Sequence, residues 1–218
     1  MKHEKIKKLS ILAMLCAFAY VVVVVARIPV IMFLKYEPKD VIITFGGFLY
    51  GPVAALLISA VASFLEMITI SETGWIGFVM NVLSTASFAC VASLIYKKKH
   101  TLSGAVWGLI TGTASMILVM IAWNYLLTPL YMGTPRADVA TMLLPVFLPF
   151  NALKGTLNSA LVLLLYRPLI TGLRAANLFP RSEVIQKPKT SSKIILWIVA
   201  ALLVAACVLA ILHYNGIL

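Results

Sequence analysis

Apolar residues run along this chain in long blocks, broken by short polar segments. The first block spans 9–26, and a second run, 40–50, ends at Gly51-Pro52. Longer blocks follow at 53–69, 75–96, 104–127, 142–166 and 194–213. A helix rises about 1.5 Å per residue, so a block of about 20 residues is long enough to cross a bilayer. The 40–50 run is too short for an upright crossing. It reads as a short second helix joined to the third by a tight turn, with Pro52 opening the new helix. The segment 27–39 carries Pro29, Pro38, Glu37, Lys35 and Lys39 and reads as irregular. The segment 128–141 reads as a loop, and Pro145 and Pro149 fall in the first turns of the sixth span.

The expected fold is therefore an all-α integral membrane protein. It has a six-helix core with a short helix two, and a seventh hydrophobic helix at the C-terminal end. The expected divisions are 1–172 for the core, 173–193 for a basic cytoplasmic linker, and 194–213 for the additional helix.

Composition narrows the class. Of 218 residues, 62% are hydrophobic and 11% charged, and the mean hydropathy is +1.02. Globular domains are about half apolar and a quarter charged, so a soluble enzyme, a disordered chain and a disulfide-stapled module are all excluded.

The net charge of +11 does not point to nucleic acid, because the basic residues cluster at the ends of apolar blocks. The cluster at 2–8, the triplet 97–99 and the stretch 167–193 fall on one side if the spans alternate. Arg27, Lys35, Lys39 and Arg136 fall on the other. By the positive-inside rule the N-terminus is cytoplasmic. No small-residue cleavage site follows the first block, so it reads as a retained helix of a cell-membrane protein. Cys16, Cys90 and Cys207 stand singly inside apolar runs and read as small buried hydrophobes.

Polar groups inside a membrane are costly and mark function by default. Asn151, Lys154 and Asn158 stand at i, i+3 and i+7 and share one helix face. Asn81 in span four and Asn124 in span five can meet that face. Asparagines around one lysine form a donor and acceptor set suited to a flat heterocycle with carbonyls and ring nitrogens. None of the nearby spans offers Lys154 a carboxylate partner. Glu66 reads as a satisfied residue near the outer end of span three. Tyr36, Trp75 and Tyr131 lie near the polar set and can stack on a ligand. Ala13 and Ala17 form a small-xxx-small pair that admits a close-packed helix.

Catalytic and energy-coupling signatures are missing. The chain has no G-x-x-x-x-G-K-[ST], no H-E-x-x-H and no G-x-S-x-G. A polar pocket without an energy source reads as the binding part of a larger machine, not as an enzyme, with no metal and no cofactor of its own.

Four stretches resemble a known family, the substrate-binding S components of energy-coupling-factor (ECF) vitamin transporters, and most closely its riboflavin-specific group. They are 9–17 with Ala13 and Ala17, 35–52 from Lys35-Tyr36-Glu37 through Gly51-Pro52, Asn124-Tyr125 with Pro129-Leu130-Tyr131, and Asn151-Ala152-Leu153-Lys154-Gly155. The likeness covers roughly residues 5–172. It implies that Asn124, Asn151 and Lys154 bind the isoalloxazine and ribityl groups of riboflavin. It implies that the first outer loop, around Tyr36, closes over the site, and that Ala13 and Ala17 dock on a transmembrane coupling subunit. It further implies that two ATPase subunits on other chains supply energy. The competing readings are an S component for thiamine, a folate or a pyridoxine-like compound, and a self-sufficient small-molecule transporter.

Overall fold

A computed structural model describes residues 2–32, 34–175 and 190–214. Eight α-helices and one short hairpin follow in the order α1 (Lys2–Val25), β1 (Ile28–Ile31), β2 (Leu34–Tyr36), α2 (Lys39–Tyr50), α3 (Pro52–Thr69), α4 (Gly74–Lys98), α5 (Leu102–Met132), α6 (Arg136–Met142), α7 (Leu148–Ala175) and α8 (Thr190–Tyr214). Five stretches are long and apolar enough to cross a membrane: Lys5–Val25, Pro52–Thr69, Gly74–Lys98, Leu102–Met132 and Arg136–Leu169. The protein is a multi-pass, all-α membrane protein. The residues between α7 and α8, 176–189, hold most of the basic segment expected at 173–193 and lie outside the described residues.

Helix α2 is about 18 Å long and sits at the centre, touching α1, α3, α4 and α7. It buries residues along its whole length, from Lys39 and Asp40 to Phe48. Asp40 lies in its first turn, where the exposed backbone N–H groups favour an anion. The turn into α3 is made by Gly51, whose φ of 90° suits a residue without Cβ, and Pro52 then takes the first helical position.

The pair α4 and α5 packs closely because α5 presents glycines there. A Cβ on Gly108 would lie 2.6 Å from the Ala92 carbonyl oxygen, and one on Gly112 would lie 2.6 Å from that of Phe88. On the other side of α5, a Cβ on Gly155 of α7 would meet Thr113 Cγ2 at 2.6 Å. Gly155 thus brings the helix that carries Lys154 against α5.

Three elements differ from the sequence-based expectation. The segment expected as irregular contains an antiparallel hairpin, pairing Ile28 with Tyr36 and Pro29 with Lys35, with a bulge before the Ile31–Leu34 pair. Helix α5 continues past position 127 through Pro129 to Met132, ends at Gly133 in the left-handed region, and is followed by the one-turn-plus helix α6. The start of the sixth span is a widened π-type turn over Leu143–Phe147. Pro145 and Pro149 each remove a backbone donor from the i→i−4 ladder there, which favours such a turn.

Candidate functional site

The hairpin region and the ends of α4, α5 and α7 nearest it surround one partly polar cavity of about 530 Å³, its open mouth included. Its walls include Arg27, Leu34, Lys35 and Glu37 from the hairpin region, Asn81 and Ser84 from α4, Met120 and Asn124 from α5, and Phe150, Asn151 and Lys154 from α7. The structure therefore brings Asn81, Asn124, Asn151 and Lys154 together around one space. Tyr131 lies beside it, in an apolar groove with Trp123, Leu127 and Ile76 that shares Thr73 and Met80 with the cavity wall.

Tyr36 does not line the cavity. It is buried, and its hydroxyl donates to Asn158 Oδ1 at 2.9 Å. Asn158 is likewise set behind the wall and donates from Nδ2 to Asp40 Oδ2 at 3.1 Å. Both hold the hairpin and α7 to α2. Burial and the nearby Asp40 carboxylate push the Tyr36 phenol well above its ordinary pKa, so it stays a donor.

Lys154 has a carboxylate partner after all. Its Nζ lies 3.3 Å from Asp40 Oδ2 and donates to Ser84 Oγ at 3.3 Å. The sequence places no acid in the adjacent long spans, but the short α2 carries Asp40 into the interior. The same carboxylate accepts from Thr85 Oγ1 at 2.6 Å. Lys154 is 5% exposed, so it does not reach for the interface. An ammonium has three donors, and with Asp40 and Ser84 facing it one remains for the cavity.

The two asparagines are held by their own helices. Asn124 Nδ2 donates to the Met120 carbonyl at 2.7 Å, and its Oδ1 accepts from Thr128 at 2.8 Å. Asn151 Nδ2 donates at 2.7 Å to the carbonyl of Phe147, the last residue of the widened turn. A primary amide has two N–H groups, so each side chain is fixed by one and has a second to offer a ligand.

A second buried charge cluster ties the hairpin down. Glu66 of α3 meets Lys39 and pairs with Arg27 Nη2 at 3.0 Å. Asn81 donates to both of its oxygens at 3.1 Å. Lys39 also pairs with Glu37 at 2.7 Å. Arg27 Nε faces Glu37 Oε1 at 3.0 Å, off the hydrogen-bond axis, as a charge contact. Burial raises the Glu37 carboxyl, but Lys39, Lys154 and Arg27 outweigh it and hold it down at about 2. Lys35 joins Glu72 at the surface at 2.9 Å. Glu66 is satisfied, as expected, though by interior cations and an amide at a depth where it is 1% exposed. Among the described residues, no group of three His, Cys, Asp or Glu side chains could hold a metal ion.

Asp40, Ser84, Thr85 and Arg27 join the site without standing out as site residues in the sequence. The available signal was Asp40 at the start of an apolar helix too short to span, which an unpaired carboxylate would not favour.

Comparison with known proteins gives this arrangement its context. Residues 7–166 match the family described as the ECF transporter substrate-specific component. The riboflavin transporter RibU of Staphylococcus aureus (strain TCH60) is 34% identical over 176 residues, 77% of this chain and 93% of the relative. The riboflavin transporter FmnP of Bacillus subtilis (strain 168) is 28% identical over 190 residues, 80% of this chain and 99% of the relative. A solved S component of a bacterial ECF transporter superimposes with a TM-score of 0.66 at 32% identity, covering 78% of this chain and all but 1% of its own. These matches are to transport components, not enzymes, and they run through the helices that wall the cavity. On that ground the chain belongs to the substrate-specific components of ECF transporters.

Proposed function

We propose that this chain is a riboflavin-binding subunit, and that uptake requires a separate transmembrane coupling subunit and two ATPase subunits. The observation that carries the reading is the convergence of Asn124, Asn151 and Lys154 on one cavity. Two amides and an ammonium can serve the carbonyls, ring nitrogens and hydroxyls of a flavin with a ribityl tail. Met120, Phe150 and Leu34 supply apolar wall for the ring system. The relatives named as riboflavin transporters support the same ligand.

The remaining parts of the reading follow from charge and exposure. Basic clusters lie at the start of α1, the end of α4 and the end of α7, which by the positive-inside rule supports a cytoplasmic N-terminus and a hairpin on the outside. The cavity then opens toward the side from which a vitamin arrives. On α1, Ala13 and Ala17 are exposed together with Leu9, Met14 and Phe18. That face can take a helix of the coupling subunit at close range.

The absorption spectrum of the protein purified in detergent from riboflavin-containing medium tests the ligand. Flavin absorbance at about one flavin per chain, the occupancy a single enclosed pocket allows, is the expected result. A colourless protein that stays colourless after riboflavin is added would reject riboflavin.

A further inference from the structure

The family match ends at residue 166, and relatives aligned over 93–99% of their own length leave about a fifth of this chain unmatched. Helix α8 (Thr190–Tyr214) lies beyond that match. It packs along α7 and also touches β1 of the hairpin. One stripe of it is buried: Ala200, Cys207 and Ile211 are 1%, 8% and 6% exposed, with Val204 partly buried between them. These positions fall at i, i+4, i+7 and i+11, a single helix face.

That face does not pack on α7 alone. Val204, Cys207 and Ile211 share one apolar cluster with Val30, Leu34 and Tyr36 of the hairpin, and with Phe150 and Leu157 of α7. Leu34 and Phe150 are also cavity wall. Other positions, such as Leu202 and Leu209, are 64% and 56% exposed and suit a lipid-facing side. From this placement we infer that α8 is a brace on the ligand-covering hairpin, which holds it in the closed position and slows ligand exchange. The inference rests on the riboflavin reading for its ligand.

The brace acts on a part that must move if a ligand is to leave, because Leu34, Lys35 and Glu37 cover the cavity. Differences of this kind appear chiefly in dissociation rates rather than association rates. Chain segments held by buried apolar contacts open less often, which amide hydrogen exchange reads directly.

The test uses the full chain with Ile211→Ala, and Leu202→Ala as the lipid-face control. Two quantities are read: hydrogen exchange of the hairpin amides, and riboflavin dissociation followed by flavin fluorescence during a chase. Ile211→Ala is expected to speed hairpin exchange and raise the dissociation rate roughly tenfold or more, since a tenfold change needs only part of the cost of truncating a buried isoleucine. Leu202→Ala is expected to change neither. If Ile211→Ala does not fold, Cys207→Ala, a smaller truncation of the same stripe, gives the same comparison with a smaller change in the same direction. Unchanged hairpin exchange in a folded stripe variant would overturn the brace, as would unchanged dissociation in one that binds riboflavin. Absence of riboflavin binding in the wild-type chain would reject the ligand instead. Hairpin exchange would then decide the brace by itself.

Discussion

At Lys154 Nζ the nearest anion is Asp40 Oδ2, 3.3 Å away and fully buried. That carboxylate also serves Thr85 of α4 and Asn158 of α7. The pair is expected to behave as a unit. Removing one partner of a buried ion pair costs about 3–5 kcal/mol, because the other charge is left uncompensated, whereas replacing both is far milder. Asp40→Asn is therefore expected to lower the melting temperature in detergent sharply, and Asp40→Asn with Lys154→Met to recover part of the loss. Strictly additive losses in that double-mutant cycle would mean that the two charges do not interact. Lys154, Asn151 and Asn124 were legible in the sequence because each is a polar residue within an apolar block. Asp40 was not, because it stands at the border of a polar segment. Its partners Thr85, Lys154 and Asn158 lie far along the chain, and helical periodicity reports which residues share a face, not which faces meet. Tyr36 illustrates the same limit: its position near the site could be expected, but its role as a buried donor to Asn158 depends on how the hairpin packs.

Among the elements, the five long apolar stretches were readable from block length alone, and the short α2 from the Gly51-Pro52 turn. The hairpin was hidden because Pro29 and Pro38 signal irregular chain, while its pairing is short and bulged. The widened turn before α7 was hidden for a related reason. Two prolines mark a disturbed ladder but do not say how the carbonyls are re-satisfied, and here Phe147 takes the Asn151 side chain. Helix contacts depend on small residues in the same way. Because a Cβ at Gly112 would come within 2.6 Å of the Phe88 carbonyl oxygen, a backbone group that cannot swing aside, Gly112→Ala is expected to force α4 and α5 apart. The measurable result is a lower melting temperature together with weaker ligand binding, since Asn81 and Ser84 ride on α4 and Asn124 on α5. A Gly112→Ala protein as stable as the wild type would show that the two helices are not held at this distance.

For the molecule as a whole, the arrangement is that of a receptor set in a membrane. Charged groups that would be costly in lipid are paired off around the cavity: Arg27, Lys39 and Lys154 against Glu37, Glu66 and Asp40. With Lys35 and Glu72 added at the rim, four cations face four anions and leave the site near neutrality, which suits an uncharged, hydrogen-bonding heterocycle better than an ion. The polar side chains left to face the ligand are then the decisive ones. The most direct test of that account is a riboflavin titration of the isolated chain, followed by quenching of flavin fluorescence, with Asn151→Ala and Lys154→Ala alongside. Saturable binding near one riboflavin per chain is expected, weakened by about tenfold or more in each variant, the size of effect expected when a charged or amide hydrogen bond to a buried ligand is lost. Wild-type affinity in both variants, at unchanged stoichiometry, would contradict it and place the ligand elsewhere.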